Sequence, residues 1–190
     1  MAVEAEVKAL VRDPERLHAV LSRRAVSERL IYSDRYFDYP DRGWTRQGSE
    51  LRVRTVTDDR GRSLAMLTFT EPAVDHASGS TPEHETVIEN ADVLVTVLTA
   101  LGLEQIMSFD KQCVNYRFTA RGRELLATVV SVPELAGRTF LELETLAEAN
   151  EVPTALEFLR SVLHELGIDD SDLTTQAYTD ALATHRDATQ

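Results

Sequence analysis

The sequence predicts an α+β fold: eight antiparallel strands closing into a small barrel, flanked by helices. Three observations predict it. About eight segments alternate apolar and polar residues with the period of two that marks strands. Only a few helical segments accompany them in a chain of 190 residues, a length that suits one domain. Eight strands are also about the number that closes a small barrel. The domain is expected to span residues 1–184, with 185–190 as a disordered tail.

Each element has a local reason. Val3, Ala5 and Val7 alternate with Glu4, Glu6 and Lys8, as in a strand. Asp13-Pro14 then offers an N-cap followed by proline at the first helical position, opening a helix to about Arg24. Residues 30–38, rich in Tyr, Ile and Phe, read as a strand ended by the turn residues of 39–43. Residues 51–56 and 64–70 form strands joined through Asp58-Asp59-Arg60-Gly61, a hairpin signal. Pro, Asp, Ser and Gly collect in 71–82, which reads as a mobile loop. A less regular strand at 83–89 precedes a helix at 91–101, capped by Asn90 and stopped by Gly102. Three strands follow, at 106–118, 124–132 and 139–146. Leu156, Leu159, Val162, Leu163 and Leu166 give 153–166 helical spacing, with Gly167 as its stop. A last helix is expected over 172–183.

Composition narrows the function classes. Twenty Lys+Arg against 32 Asp+Glu give a net charge of -12. Nucleic acid is therefore not an expected partner, because neutralising phosphates needs a basic surface. No apolar run approaches the ~20 residues of a membrane helix, and the first residues lack a signal peptide's apolar stretch. One cysteine, Cys113, excludes an internal disulfide framework and a multi-thiolate zinc site. A cytoplasmic location with no membrane partner is the expectation. The state of assembly is open, a homodimer being one option.

Three strands carry charges in one repeated arrangement. Glu4, Glu6 and Lys8 share a face, as do Arg52 with Arg54, and Glu142 with Glu144. Alternation alone fits two readings: an amphipathic sheet with one solvated face, or a charged interior.

The motif Glu4-Ala5-Glu6-Val7-Lys8 resembles the opening of the CYTH family, the triphosphate tunnel metalloenzymes, which include class IV adenylyl cyclases and thiamine triphosphatases. The similarity continues in order along nearly the whole chain. It runs through Ser33-Asp34-Arg35-Tyr36-Phe37-Asp38, Gly48-Ser49-Glu50-Leu51-Arg52-Val53-Arg54, Leu67-Thr68-Phe69 and Glu83-His84-Glu85. Lys111, Phe140-Leu141-Glu142-Leu143-Glu144 and the ending Ala177-Tyr178-Thr179-Asp180-Ala181-Leu182 complete it, the last resembling the class IV cyclase-like branch.

The resemblance implies an eight-stranded barrel with a polar tunnel, and an enzyme acting on the phosphoanhydride group of a phosphorylated small molecule. Glu4, Glu6, Glu142, Glu144 and Glu85 would hold Mg²⁺ or Mn²⁺, with Glu83 less surely among them. Lys8, Arg52, Arg54 and Lys111 would bind phosphate. Lys8, with Glu4 and Glu6, would carry the catalysis, on water in a hydrolase or on a ribose hydroxyl in a cyclase. The physics fits: gathered carboxylates cannot all stay ionised without compensation, which a hard cation supplies. Forked guanidinium donors suit phosphate oxygens, while the lysines act as point charges.

Three positions depart from the family pattern. Thr70 and Cys113 stand where a lysine and an arginine are usual, and Val130 lies where an acidic residue is usual. Losing two cations weakens the hold on a triphosphate, each charge-assisted contact contributing on the order of 1.5–3 kcal/mol. A shorter or partly apolar anion, such as an organic diphosphate, is the expected substrate. The alternative from a different class is a catalytically weakened binding module for a phosphorylated ligand or polyphosphate.

Other candidates carry less. His18, His76, His84, His164 and His185 have no zinc-like spacing, and His84 should point away from its flanking glutamates. Cys113 lacks an identifiable base and reads as a small buried residue. No glycine-rich phosphate loop occurs. Trp44 reads as packing over a barrel mouth.

Overall fold

A computed structural model describes residues 2–73, 81–135 and 137–189. The loop expected over 71–82 falls largely on residues 74–80, which with His76 lie outside the described residues; its stem is closed by the Glu71 amide donating to the Pro82 carbonyl.

The strands are β1 (Ala2–Val11), β2 (Ser27–Asp38), β3 (Glu50–Asp58), β4 (Ser63–Thr70), β5 (Glu83–Ile88), β6 (Glu104–Ala120), β7 (Arg123–Ser131) and β8 (Thr139–Glu148). The helices are α1 (Pro14–Leu21), α2 (Gly43–Gln47), α3 (Ala91–Ala100), α4 (Val152–Leu166) and α5 (Tyr178–Thr189). The strands form one sheet in the order β1-β8-β7-β6-β2-β3-β4-β5, antiparallel at every pairing.

The expected closed barrel is corrected here. The sheet curls into a half-barrel but stays open, because β1 and β5 do not pair. Two physical features oppose closure. The free edge of β1 is already engaged where the Thr174 amide donates to the Lys8 carbonyl and Leu173 bridges Ala9. Glu83 and Glu85 of β5 also act on Glu4 of β1 as like charges across the gap.

The convex side is the main core. Ala5, Val7 and Ala9 of β1 and Leu141 and Leu143 of β8 are buried beneath Leu156, Leu159, Val162 and Leu163 of α4. Helix α4 stops at Gly167, whose φ of +84° is a left-handed cap that glycine adopts without steric cost. A second convex cluster joins Leu51 and Val53 of β3 to Leu98 of α3. Asp13 and Asn90 cap α1 and α3 through their side chains, as their positions predict.

Three local expectations change. Helix α1 ends at Leu21, short of Arg24. The turn after β2 runs into α2, because the buried Asp38 carboxylate accepts from the Trp44 and Thr45 amides and from the Thr45 hydroxyl; Trp44 there packs edge-on against Phe69. The last helix begins at Tyr178, later than residue 172, and continues through 185–189, where a disordered tail is expected. Arg186 fastens it, pairing with Glu134 at 2.8 Å and donating to the Ser108 carbonyl. Leu182 and Ala181 bury its inner side. Among the described residues no helix is long and apolar enough to cross a membrane.

Candidate active site

Register assembles the site. Glu6 lies opposite Glu144 and Lys8 opposite Glu142 across β1–β8. Lys111 of β6 faces Tyr32 of β2, and Asp34 and Tyr36 of β2 face Arg54 and Arg52 of β3. Arg52 in turn lies opposite Thr68, which lies opposite Glu85, while Thr70 lies opposite Glu83. Side chains two apart share a face of a strand, so all these residues line the concave face. Every charged position singled out from the sequence falls there. The solvated-face alternative fails in part, since Lys111 is only 4% exposed and Arg54 only 9%.

The carboxylates strain against one another. Burial, reinforced by the Glu142 charge, pushes Glu6 up to about 8. Burial and then the Glu4 and Glu6 charges push Glu144 up to about 10. Glu4 is raised mainly by burial and shares a side-chain hydrogen bond with Glu144. Such a bond needs a proton on one of the two, which the raised values of both favour. Glu142 behaves oppositely: burial disfavours its charge, yet Lys111, the neighbouring Tyr178 hydroxyl, Lys8 and Arg54 together hold it low. Among the described residues no three acidic, histidine or cysteine side chains are already arranged to hold a metal ion. The donor set nevertheless fits a hard divalent cation: it is all oxygen, multiply acidic and self-repelling, and a cation would take the place of the shared proton.

The cations divide into two kinds. Arg54 is spoken for. Its Nε and Nη2 donate to the two Asp34 oxygens at 2.6 and 2.7 Å, a buried bidentate pair. Burial opposes the Asp34 charge, but the Arg54 guanidinium outweighs it and brings Asp34 down to about 2. Arg52 is different. Among the described residues its buried Nε has no hydrogen-bond partner, and its Nη2 reaches Thr68 Oγ1 at 3.5 Å and Glu83 at 3.9 Å. Lys111 Nζ stands 3.9 Å from Glu142. Lys8 Nζ donates to the Gln176 carbonyl at 2.5 Å.

Glu85 accepts from the Thr68 hydroxyl at 3.0 Å, and the Thr70 hydroxyl meets Glu83 at 3.4 Å. Both glutamates therefore reach the concave face on the exposed edge strand. His84, as expected, points to the other side and pairs with Glu71 at 2.6 Å. The altered positions Cys113 and Val130 are direct cross-strand partners. They sit among Phe109, Phe140, Tyr178 and Leu182 in an apolar floor at one end of the half-barrel. Burial pushes the Cys113 thiol up to about 12, which leaves it an inert neutral thiol.

Sequence reasoning missed three contributors to this face. Asp34 was visible only as a motif letter, although it is the residue that holds Arg54. Tyr32 lies under Arg54, with 4.6 Å between the guanidinium carbon and the ring centroid, and accepts a hydrogen bond from Asn115. Tyr178 arrives from α5, far along the chain. The period of two in 32, 34 and 36 was a signal for the first two; nothing local announced the third.

A concave, eight-stranded antiparallel face lined by paired glutamates, arginines and lysines defines a class of curled-sheet folds with a charged inner face. The sequence matches the CYTH domain over residues 2–178, and the chain belongs to that family, whose members generally depend on a divalent metal. Solved structures agree on the fold. PH1819 protein from Pyrococcus horikoshii OT3 superposes with a TM-score of 0.81 at 23% identity, covering 95% of this chain and 98% of that one. A candidate adenylate cyclase from Vibrio parahaemolyticus gives 0.80 at 20% identity over 95% and 98%. HpAC1 from Hippeastrum, a candidate adenylyl cyclase described as having a dominant triphosphatase activity, gives 0.65 at 15% over 97% and 96%. Comparison with curated proteins returned no match.

Proposed function

We propose that the protein is a divalent-metal-dependent enzyme that acts on the phosphoanhydride group of a phosphorylated small molecule held on the concave face. One observation carries this reading: a self-repelling glutamate cluster shares that face with Arg52, whose buried Nε has no hydrogen-bond partner among the described residues. An unsatisfied buried donor is costly to leave unmade, and a phosphate oxygen would satisfy it.

In this reading Glu4, Glu6, Glu142 and Glu144, with Glu85 at the rim, hold Mg²⁺ or Mn²⁺. Arg52 and Lys111 bind phosphate oxygens directly. Arg54, already bonded to Asp34, contributes field and its remaining Nη1 donors. Lys8 orients the nucleophile beside the metal cluster. When bound, the cation neutralises the crowded carboxylates and polarises the phosphoryl group. The apolar Cys113–Val130 pair supplies no charge at one end, and Thr70 supplies none at the other. A diphosphate, or a substrate with an apolar portion, is therefore favoured over a free triphosphate chain.

Product analysis by phosphorus NMR with Mn²⁺ tests the reading. The panel is tripolyphosphate, ATP, thiamine triphosphate, pyrophosphate and an isoprenyl diphosphate, with Glu4→Ala as control. Turnover lost in the control is expected, with diphosphates processed faster than ATP. Strong ATP turnover would overturn the short-anion preference. Metal-dependent binding without any product would replace the enzyme by the binding module.

A further inference from the structure

We propose that Tyr178 is a positioning residue that sets the two phosphate-facing lysines, a role that rests on the phosphoryl-processing reading of the same face. Its ring centroid lies 4.7 Å from Lys8 Nζ and 4.8 Å from Lys111 Nζ. These lysines come from β1 and β6, which are separated in the sheet by β8 and β7. No strand pairing fixes one against the other. The Tyr178 ring touches both.

The ring is itself immobilised. It meets Phe140 edge-on at 5.3 Å and 90°, and Phe109 at 6.4 Å, and the residue is 8% exposed. Its negative π face attracts ammonium groups, and the attraction strengthens when water is excluded. A fixed ring can therefore hold two like charges near one another that would otherwise separate. Its buried hydroxyl faces the Glu142 carboxylate, whose charge it helps to hold. The segment before it adds to the restraint. The Thr174 amide bonds the Lys8 carbonyl, and the Gln176 carbonyl accepts from Lys8 Nζ. The passage from α4 to α5 thus grips Lys8 at its backbone, its ammonium and its π neighbour.

The test measures tripolyphosphate affinity in saturating Mn²⁺, and Mn²⁺ affinity alone, by calorimetry on the full chain. Tyr178→Phe keeps the ring. Tyr178→Leu removes the π face; if it melts below the assay temperature, Tyr178→Met takes its place as a flexible filler. The expected result is about a tenfold weaker hold on tripolyphosphate in the Leu or Met variant. Tyr178→Phe should stay within about threefold of wild type, and the Leu or Met variant should bind Mn²⁺ as Tyr178→Phe does, since all of them lack the hydroxyl that faces Glu142. General disruption of the fold would lower Mn²⁺ and tripolyphosphate binding together, and that outcome overturns the proposal. So does unchanged tripolyphosphate binding in the ringless variant. Wild-type protein that binds Mn²⁺ but no polyphosphate or diphosphate would remove the functional reading itself, an outcome separable from failure of the tyrosine's role.

Discussion

Arg52 and Arg54 stand two residues apart on one strand face, yet their surroundings give them different work. Arg54 is locked to Asp34 by two short bonds and covered by Tyr32. Arg52 has a buried Nε with no partner among the described residues. Removing Arg54 strands a buried carboxylate, so Arg54→Ala should cost roughly 3–5 kcal/mol of unfolding free energy. Arg52→Ala should cost far less stability and weaken phosphate binding tenfold or more. Urea unfolding beside calorimetric titration with tripolyphosphate separates the two; equal stability losses would refute the division. The same pair sets an acid dependence. Asp34 titrates near 2 in the folded protein against 3.8 when unperturbed. Its depressed value contributes stability that is present above about pH 4 and lost as pH falls toward 2. The stability gap between wild type and Asp34→Asn should therefore shrink over that interval. The residue types of this cluster were legible in the sequence, but the pairing was not, because strand alternation gives the face of a residue and not its cross-strand partner.

At the scale of elements, the register of β6 against β7 joins two departures from the family pattern into one. Cys113 and Val130 lie directly opposite each other. An arginine and an acidic residue placed at these two positions would be neighbours able to pair, whereas the pair present is apolar. A buried pair replaced whole by apolar side chains is often neutral or stabilising, whereas one charge alone is costly. Cys113→Arg should accordingly destabilise by about 3–5 kcal/mol, and Cys113→Arg with Val130→Asp should recover much of that loss. Denaturation midpoints of the two singles and the double decide it, and strictly additive losses would show that the pair is not a unit. Eight strands and the helices α1, α3 and α4 were readable, because period and caps are local signals. Helix α2 and the start of α5 were not. One is organised by the buried Asp38, the other by packing of Tyr178 and Leu182 against strands more than 30 residues away in sequence. Nothing in a strand's own sequence says whether β1 will find β5, so closure of the barrel could not be read either.

At the scale of the whole molecule, the open edge and the metal chemistry are one problem of charge. Glu4, Glu6 and Glu144 are held in surroundings that disfavour their ionised forms, and Glu83 and Glu85 add like charge from across the gap. Without a compensating charge the concave face works against folding; in the proposed reading a cation would turn the same carboxylates into ligands. This predicts a crossing pattern in thermal melts at neutral pH. Wild type should gain stability with Mn²⁺, about 2.7 kcal/mol when the free metal reaches a hundred times its Kd. Glu144→Gln should melt higher than wild type in chelator, by on the order of 1 kcal/mol, because it removes one member of the repelling set. In Mn²⁺ it should gain little, and the order of the two proteins should reverse. Parallel curves, with Glu144→Gln lower throughout, would mean that Glu144 serves packing and not the cation. A Mn²⁺ gain that survives the substitution would move the metal to the Glu83–Glu85 rim.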